Sequence, residues 1–195
     1  MCHSYLSLGQ NNKDKWQPFS KMPPINLYAE LNSQLAQIEN QDAIGLGFKG
    51  GITWSPNSAV GFSFTSTINK YSPIGEVNDR VYMKIVHTGL YYEYMWKSNN
   101  RVHFIFPVEL GVGECFYEWR DIKYYFGSSY PYGEQFYFYL EPSAKLEFNL
   151  SELFRINAGV LYTLIPQEFE FRTITNSSLS VPSLEVGIRY GRFFQ

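Results

Sequence analysis

The sequence predicts an all-β fold: a closed eight-stranded antiparallel up-and-down transmembrane β-barrel. Three observations lead there. From Ala43 to Phe194 apolar and polar residues alternate with a period of two, in seven segments long enough for a tilted strand to cross a bilayer. Charges sit on the polar face of those segments. In the last one Leu184, Val186, Ile188 and Tyr190 share a face, and Glu185, Gly187, Arg189 and Gly191 share the other. A strand of a soluble core rarely carries Glu and Arg in this way, because each buried charge needs a partner. In a barrel the apolar face meets lipid and the charges meet each other or water inside. The third observation is that short and long connections alternate along the chain.

The elements follow in order. The stretch from Tyr28 to Glu39 is the first strand, with Glu30, Asn32 and Gln34 inward and Leu31 and Leu35 outward. Its alternation is shallow, and the even strand number of a closed bacterial barrel is the main reason to assign it. On the second strand Ile44, Leu46, Phe48, Ile52 and Trp54 alternate with Gly45, Gly47, Lys49, Gly51 and Thr53. The third sets Val60, Phe62, Phe64 and Ile68 against Gly61, Ser63, Thr65 and Asn69. The fourth opposes Val86, Leu90, Tyr92, Tyr94 and Trp96 to His87, Gly89, Tyr91 and Glu93. The fifth opposes Phe104, Phe106, Val108, Leu110 and Val112 to His103, Glu109, Gly111 and Gly113. The sixth is the cleanest, with Phe136, Phe138, Leu140, Ala144, Leu146 and Phe148 facing away from Tyr137, Tyr139, Glu141, Lys145, Glu147 and Asn149. The seventh sets Phe154, Ile156, Val160, Tyr162 and Leu164 against Arg155, Asn157, Gly159 and Thr163. The helical period of 3.6 is absent from all of these windows.

Ser55 to Ser58, Lys97 to Asn100 and Ser151 to Leu153 read as tight turns, and Tyr71 to Asp79, Trp119 to Glu134 and Pro166 to Pro182 as long loops. The link near Asn40 to Asp42 is short although it lies on the long-loop side. This alternation puts both termini in the periplasm. Rings mark two belts. Trp54, Tyr94, Trp96, Phe148, Phe154 and Phe194 fall beside the short turns, and Tyr82, Phe116, Phe136 and Tyr162 towards the long loops.

Composition agrees. The 195 residues suit one domain, and the near-neutral mean hydropathy hides apolar side chains at alternate positions. No run approaches the roughly 18 apolar residues of a transmembrane helix. A net charge of −2 offers no basic field for nucleic acid. Cys2 and Cys115 make neither a disulfide framework nor a metal cluster. No cofactor or metal is expected, and no catalytic residue is assigned. Residues 1–10 read as the remnant of a signal peptide cut at Gly9, taking His3 with it; residues 11–25 read as a periplasmic lead-in, and residues 26–195 as the barrel domain.

The chain resembles the small, uncharacterised outer-membrane β-barrel proteins of Gram-negative bacteria. The stretches that carry the resemblance are GLGFKGGITWSPNSAVGFS, GLYYEYMWKSNNRVHFIFPVELGVG, FYFYLEPSAKLEFNL and VGIRYGRFF. The last is similar to the aromatic-ended signal read by the outer-membrane assembly machinery, except that Gln195 follows Phe194. The resemblance implies outer-membrane lipid and that machinery as partners, and no activity comes with it. An extracellular ligand stays unknown.

Candidate chemistry must then come from the lumen and the loops. Inward positions carry Glu30, Glu93, Glu109, Glu141, Glu147 and Glu185 against Lys49, Lys145, Arg155 and Arg189, with His87 and His103 nearby. An eight-stranded barrel is just wide enough for its own side chains, so a charge-paired plug is the expectation, against a polar conduit or an acid–base site. Pairing demands favour a register in which facing residues of the fourth and fifth strands sum to 196. That register sets Glu93 opposite His103 and His87 opposite Glu109, and by the same logic Glu147 lies opposite Arg155. The loop rings Trp119, Tyr124, Tyr125, Phe126, Tyr130 and Tyr132 form either a surface that binds sugar, lipid or protein, or a lid over the mouth. The preferred function is a non-enzymatic outer-membrane scaffold or surface-binding protein. A lipid-modifying enzyme is the first alternative, although no serine stands beside the His87 and Glu109 pair. A soluble lipocalin-like carrier is the second, and it requires the opposite sidedness.

Overall fold

The structure is a computed structural model that describes residues 25–73, 75–78, 80–119 and 132–193. Cys2, His3, Tyr124, Tyr125, Phe126, Tyr130, Phe194 and Gln195 lie outside those residues. So do the expected signal remnant and nearly all of the lead-in.

The strands are β1 (Asn26–Ile38), β2 (Gln41–Ser55), β3 (Ser58–Thr67), β4 (Val81–Trp96), β5 (Val102–Trp119), β6 (Glu134–Asn149), β7 (Phe154–Tyr162), and, after two short strands described below, β10 (Pro182–Gly191). Each of the eight pairs antiparallel with its neighbour in the chain, and β1 pairs with β10 to close the barrel. The closing seam runs from Tyr28 opposite Gly191 to Ala36 opposite Ser183. The weakly patterned first strand is therefore held on both edges, by β10 and by β2. Closure supplies what its own alternation lacks.

Turn chemistry sets the ends. Glu39 and Asn40 both have positive φ, 49° and 61°, the mirror-type turn whose twist matches a hairpin. Lys97 also takes positive φ, and Asn100 N–H donates to its carbonyl at 2.9 Å. Asn149 from β6 then donates to the Asn100 carbonyl at 2.8 Å and pins that turn.

This longer turn corrects the expected register. Trp96 pairs with Phe104, so facing residues of β4 and β5 sum to 200. Glu93 stands opposite Pro107 rather than His103, and His87 opposite Gly113 rather than Glu109. On the lipid side this register stacks Trp96 on Phe104 with ring centres 6.0 Å apart. On the lumen side the neighbour-strand pairs are not needed, because partners come from across the barrel. Glu147 likewise faces Asn157, and Arg155 faces Asn149. Arg155 still reaches Glu147 diagonally, at 2.9 Å.

The two faces sort as the alternation demands. Phe138 is 68% exposed and Leu110 62%, with Phe62, Phe104, Leu146, Val160 and Ile188 exposed beside them. Glu147 and Arg189 are 0% exposed, and Glu93 and Lys145 are buried with them. An apolar belt around the whole wall needs hydrocarbon rather than water beside it. The lipocalin-like arrangement is excluded by the same sidedness. One belt ring is corrected: Phe116 is buried.

Inward glycines make room for large lumen residues. A Cβ at Gly113 would fall 2.2 Å from the Tyr137 ring, which is itself buried against Phe169. Gly113→Val should therefore lower stability by about 1–3 kcal/mol through overpacking. The urea midpoint of the refolded protein in detergent measures it.

The long link before the last strand is structured, where the sequence alone suggests a plain loop. It holds the hairpin β8 (Glu170–Phe171) and β9 (Ile174–Thr175), turned at Arg172 with φ 57°, and a single helical turn α1 (Asn176–Leu179). Ile165, Phe169, Phe171, Ile174 and Leu179 from this link pack with Tyr71, Met83, Ile85, Cys115, Tyr117 and Tyr137 into a buried apolar cluster in the barrel mouth. The interior thus has an apolar cap at the long-loop end and charges below it.

Candidate functional site in the barrel lumen

Every inward charge reaches its place by strand parity, and the contacts then run across the lumen. Arg189 on β10 is the hub. Its Nε and Nη2 donate to Glu30 Oε2 at 2.8 and 2.6 Å, and Nη1 and Nη2 donate to the two oxygens of Glu93 at 2.7 and 2.9 Å. Nη1 also lies 3.1 Å from Glu147 Oε2. The planar guanidinium is the group that suits several carboxylates at once. Its face lies 4.7 Å from the Tyr28 ring centre.

Glu147 gathers a second set. Arg155 Nη1 donates to it at 2.9 Å, and His103 Nε2 lies 3.0 Å from the same oxygen. His103 Nδ1 is 3.3 Å from the Asn100 carbonyl, so both ring nitrogens face acceptors. Arg155 stacks on Phe193 at 3.7 Å, closing this end of the lumen.

Towards the loops, Lys145 donates to Glu185 Oε1 at 2.5 Å and lies 3.7 Å from Glu30, which links the two levels. Lys49 lies 3.4 Å from Glu185 and 3.6 Å from Glu109. Glu185 also accepts from Asn32 at 3.0 Å and Gln34 at 3.3 Å. Glu109 accepts from the Tyr139 hydroxyl at 2.5 Å, and Glu141 from Thr163 at 2.9 Å. Glu109 and Glu141 face each other across β5 and β6, with Lys49 reaching the first. Satisfied lone pairs are what make such burial tolerable.

His87 borders this network at its upper edge. It stacks on Tyr139 at 4.4 Å and meets the Tyr137 hydroxyl at 2.7 Å, with Nδ1 4.0 Å from Glu141. Among the described residues no hydrogen bond joins it to a serine, so a nucleophile–base–acid relay is not assembled there. Nor do three or more His, Cys, Asp or Glu side chains gather to hold a metal ion among those residues.

Two of the six loop rings are described, and they turn towards the mouth. Trp119 and Tyr132 pack against the apolar cluster. Tyr132 lies edge-on to Tyr117 at 5.4 Å, accepts from Asn78 Nδ2 at 3.1 Å and carries the Arg172 guanidinium 3.7 Å from its ring centre. The other four rings fall outside the described residues.

Sequence reasoning turned the neutral Asn32, Gln34, Tyr139 and Thr163 inward but counted only charged residues and histidines as site members. Each occupies an inward position of the same alternation, so parity would have added them to the site once polar as well as charged residues were counted.

No protein-family model and no curated protein sequence matches the chain. Solved structures do. Neisserial surface protein A has the same fold at TM-score 0.59 and 15% identity, over 85% of this chain and 96% of that one. Ail, the attachment invasion locus protein of Yersinia pestis, matches at TM-score 0.50 and 15% identity, over 87% and 99%. A major outer membrane protein from Thermus thermophilus matches at TM-score 0.53 and 9% identity, over 86% and 99%. At these identities the likeness establishes the fold, that of small eight-stranded outer-membrane β-barrels.

Proposed function

We propose that this chain is an integral outer-membrane β-barrel with a sealed, charge-plugged lumen, working without catalysis as a scaffold or surface-binding protein. One observation carries the reading: a closed wall whose outside is an apolar belt encloses ion pairs almost wholly shut off from solvent. A conduit needs water along its axis, whereas here Arg189, Lys145 and Lys49 each hold carboxylates drawn from other strands. Lipid is the partner of the wall, and the aromatic-ended terminal segment is what the assembly machinery would read. Both termini belong in the periplasm. In support, β1 starts and β10 ends beside the short turns, with Gly191 N–H donating to Leu153 and Arg192 N–H to Leu27. Binding would then fall to the long loops at the opposite end.

Planar-bilayer recording tests the plug. The purified barrel should insert and give no steady single-channel conductance. A reproducible open level from the wild-type protein would reject the sealed lumen.

A further inference from the structure

We propose that residues 168–180 form a hinged lid that closes an apolar compartment in the barrel mouth, and that Arg172 latches it. The inference goes beyond the plugged-lumen reading, because the compartment lies above the ionic layers.

The lid is a separate small module. The strands β8 and β9 pair with each other and with no barrel strand, and α1 folds back with Ser180 N–H donating to the Asn176 carbonyl at 2.9 Å. Its roots are fixed to the wall. Leu164 exchanges backbone hydrogen bonds with Leu140, and the Gln167 amide, oriented with its nitrogen towards the Phe138 carbonyl, pairs with the Phe138 backbone. Thr163 N–H donates to the Val181 carbonyl at 3.2 Å, which joins the two roots. Between the roots, the described backbone hydrogen bonds of the lid stay inside the lid.

What holds it down is of two kinds. Phe169, Phe171, Ile174 and Leu179 point their apolar surface into the mouth. Side chains on the rim do the rest. Arg172 forms a two-pronged pair with Glu76 at 2.9 and 3.2 Å and lies over Tyr132, so one residue ties the lid to the segments on either side of β4 and β5. Ser178 donates to Glu39 at 3.0 Å on the far side. Arg172 keeps 38% of its side chain in solvent while Glu76 keeps 1%, so the tie is reached from outside on the Arg172 side only.

Beneath the lid a cavity of about 60 Å³ is already present, lined by Ile38, Ile85, Tyr137 and Leu179 and, among its polar residues, by Gln34, His87 and Thr163. With the lid swung out, the space of its apolar side chains joins this cavity. The resulting cup, apolar-walled with a polar floor of Gln34, Thr163 and the His87 ring, fits a small ligand with an apolar body and one hydrogen-bonding end. The lid's own rings are its intramolecular occupant.

The protein carries its own reporter. Cys115 is 0% exposed and belongs to the wall that the lid covers. In a Cys2→Ala background, purified in detergent and checked for heat-modifiable migration, N-ethylmaleimide should label Cys115 slowly. Arg172→Ala removes an ion pair and a cation–π contact and should speed labelling about five- to thirtyfold. The isosteric Glu76→Gln should move it the same way by less, and Phe171→Ala by more. Lys97→Ala, at the opposite end of the barrel, should leave the rate unchanged. If Arg172→Ala and Glu76→Gln migrate as folded barrels yet protect Cys115 as the parent does, the segment is a fixed plug and the lid is wrong. Parent labelling as fast as in urea would equally overturn it. Neither outcome bears on conductance, so the plug and the lid are judged separately.

Discussion

Arg189→Met should destabilise the barrel by about 3–5 kcal/mol, the cost of breaking a buried ion pair on one side only. The reason is what remains. Glu30, Glu93 and Glu147 all lie on this guanidinium, and all are buried. Methionine fills the space and supplies no donor, so three carboxylates are left in a low-dielectric lumen with much weaker compensation. Lys145, 3.7 Å from Glu30, and Arg155 on Glu147 remain, while Glu93 loses the contacts that Arg189 gave it. Arg189→Lys should recover only part of the loss, because an ammonium cannot fork between Glu30 and Glu93 in one plane. Adding Glu93→Gln to Arg189→Met should restore stability, since the charge with least alternative pairing is then gone. Urea unfolding in detergent, followed by tryptophan fluorescence, gives all three midpoints. If Arg189→Met unfolds where the wild type does, the hub is not holding the lumen together.

How far this hub was legible beforehand depends on which kind of information the sequence stores locally. Parity is local: Glu185 and Arg189 flanking Val186 and Ile188 fix which face each residue takes, and closure then forces β1 into place. Partnership across a lumen is not local. Nothing near Glu93 indicates Arg189, ninety-six positions along, and pairing between adjacent strands points to His103 instead. The register error has the same root. Lys97 gives no glycine-like sign of its positive φ, and the side chain that pins its turn, Asn149, comes from another hairpin. The lid was missed for a different reason. Phe169, Phe171, Ile174 and Leu179 follow neither a period of two over a strand's length nor a helical one, because β8, β9 and α1 are each too short to show a period. Of the two alternatives for the loop rings, a binding surface or a cover over the mouth, Trp119 and Tyr132 follow the second and pack on the apolar cap, which no periodic pattern announces.

The wall makes the second large prediction. Leu146 lies on β6 between the inward Lys145 and Glu147, with Phe104 and Ala158 as its cross-strand neighbours. Its side chain is exposed while both neighbours in the chain are buried. Leu146→Arg should cost about 2–4 kcal/mol if the position sits near the bilayer midplane, and the cost should shrink to about 0–1 kcal/mol for a position at the edge of the belt. Leu110→Arg, on an exposed residue midway along β5 that faces Leu90 and Leu140, supplies the midplane value, and Val102→Arg, where β5 leaves the short turn, supplies the edge value. The sign matters as much as the size. On a water-facing surface an added arginine is neutral within about 0.5 kcal/mol. In hydrocarbon it must snorkel or drag water with it. Urea-induced unfolding from lipid vesicles, compared with the same variants in detergent, reads both numbers. A depth-dependent loss in lipid places the exposed apolar belt in the membrane core. Unchanged midpoints for both Leu146→Arg and Leu110→Arg would show that the outward face does not meet lipid, and the transmembrane reading of the wall would fall with it.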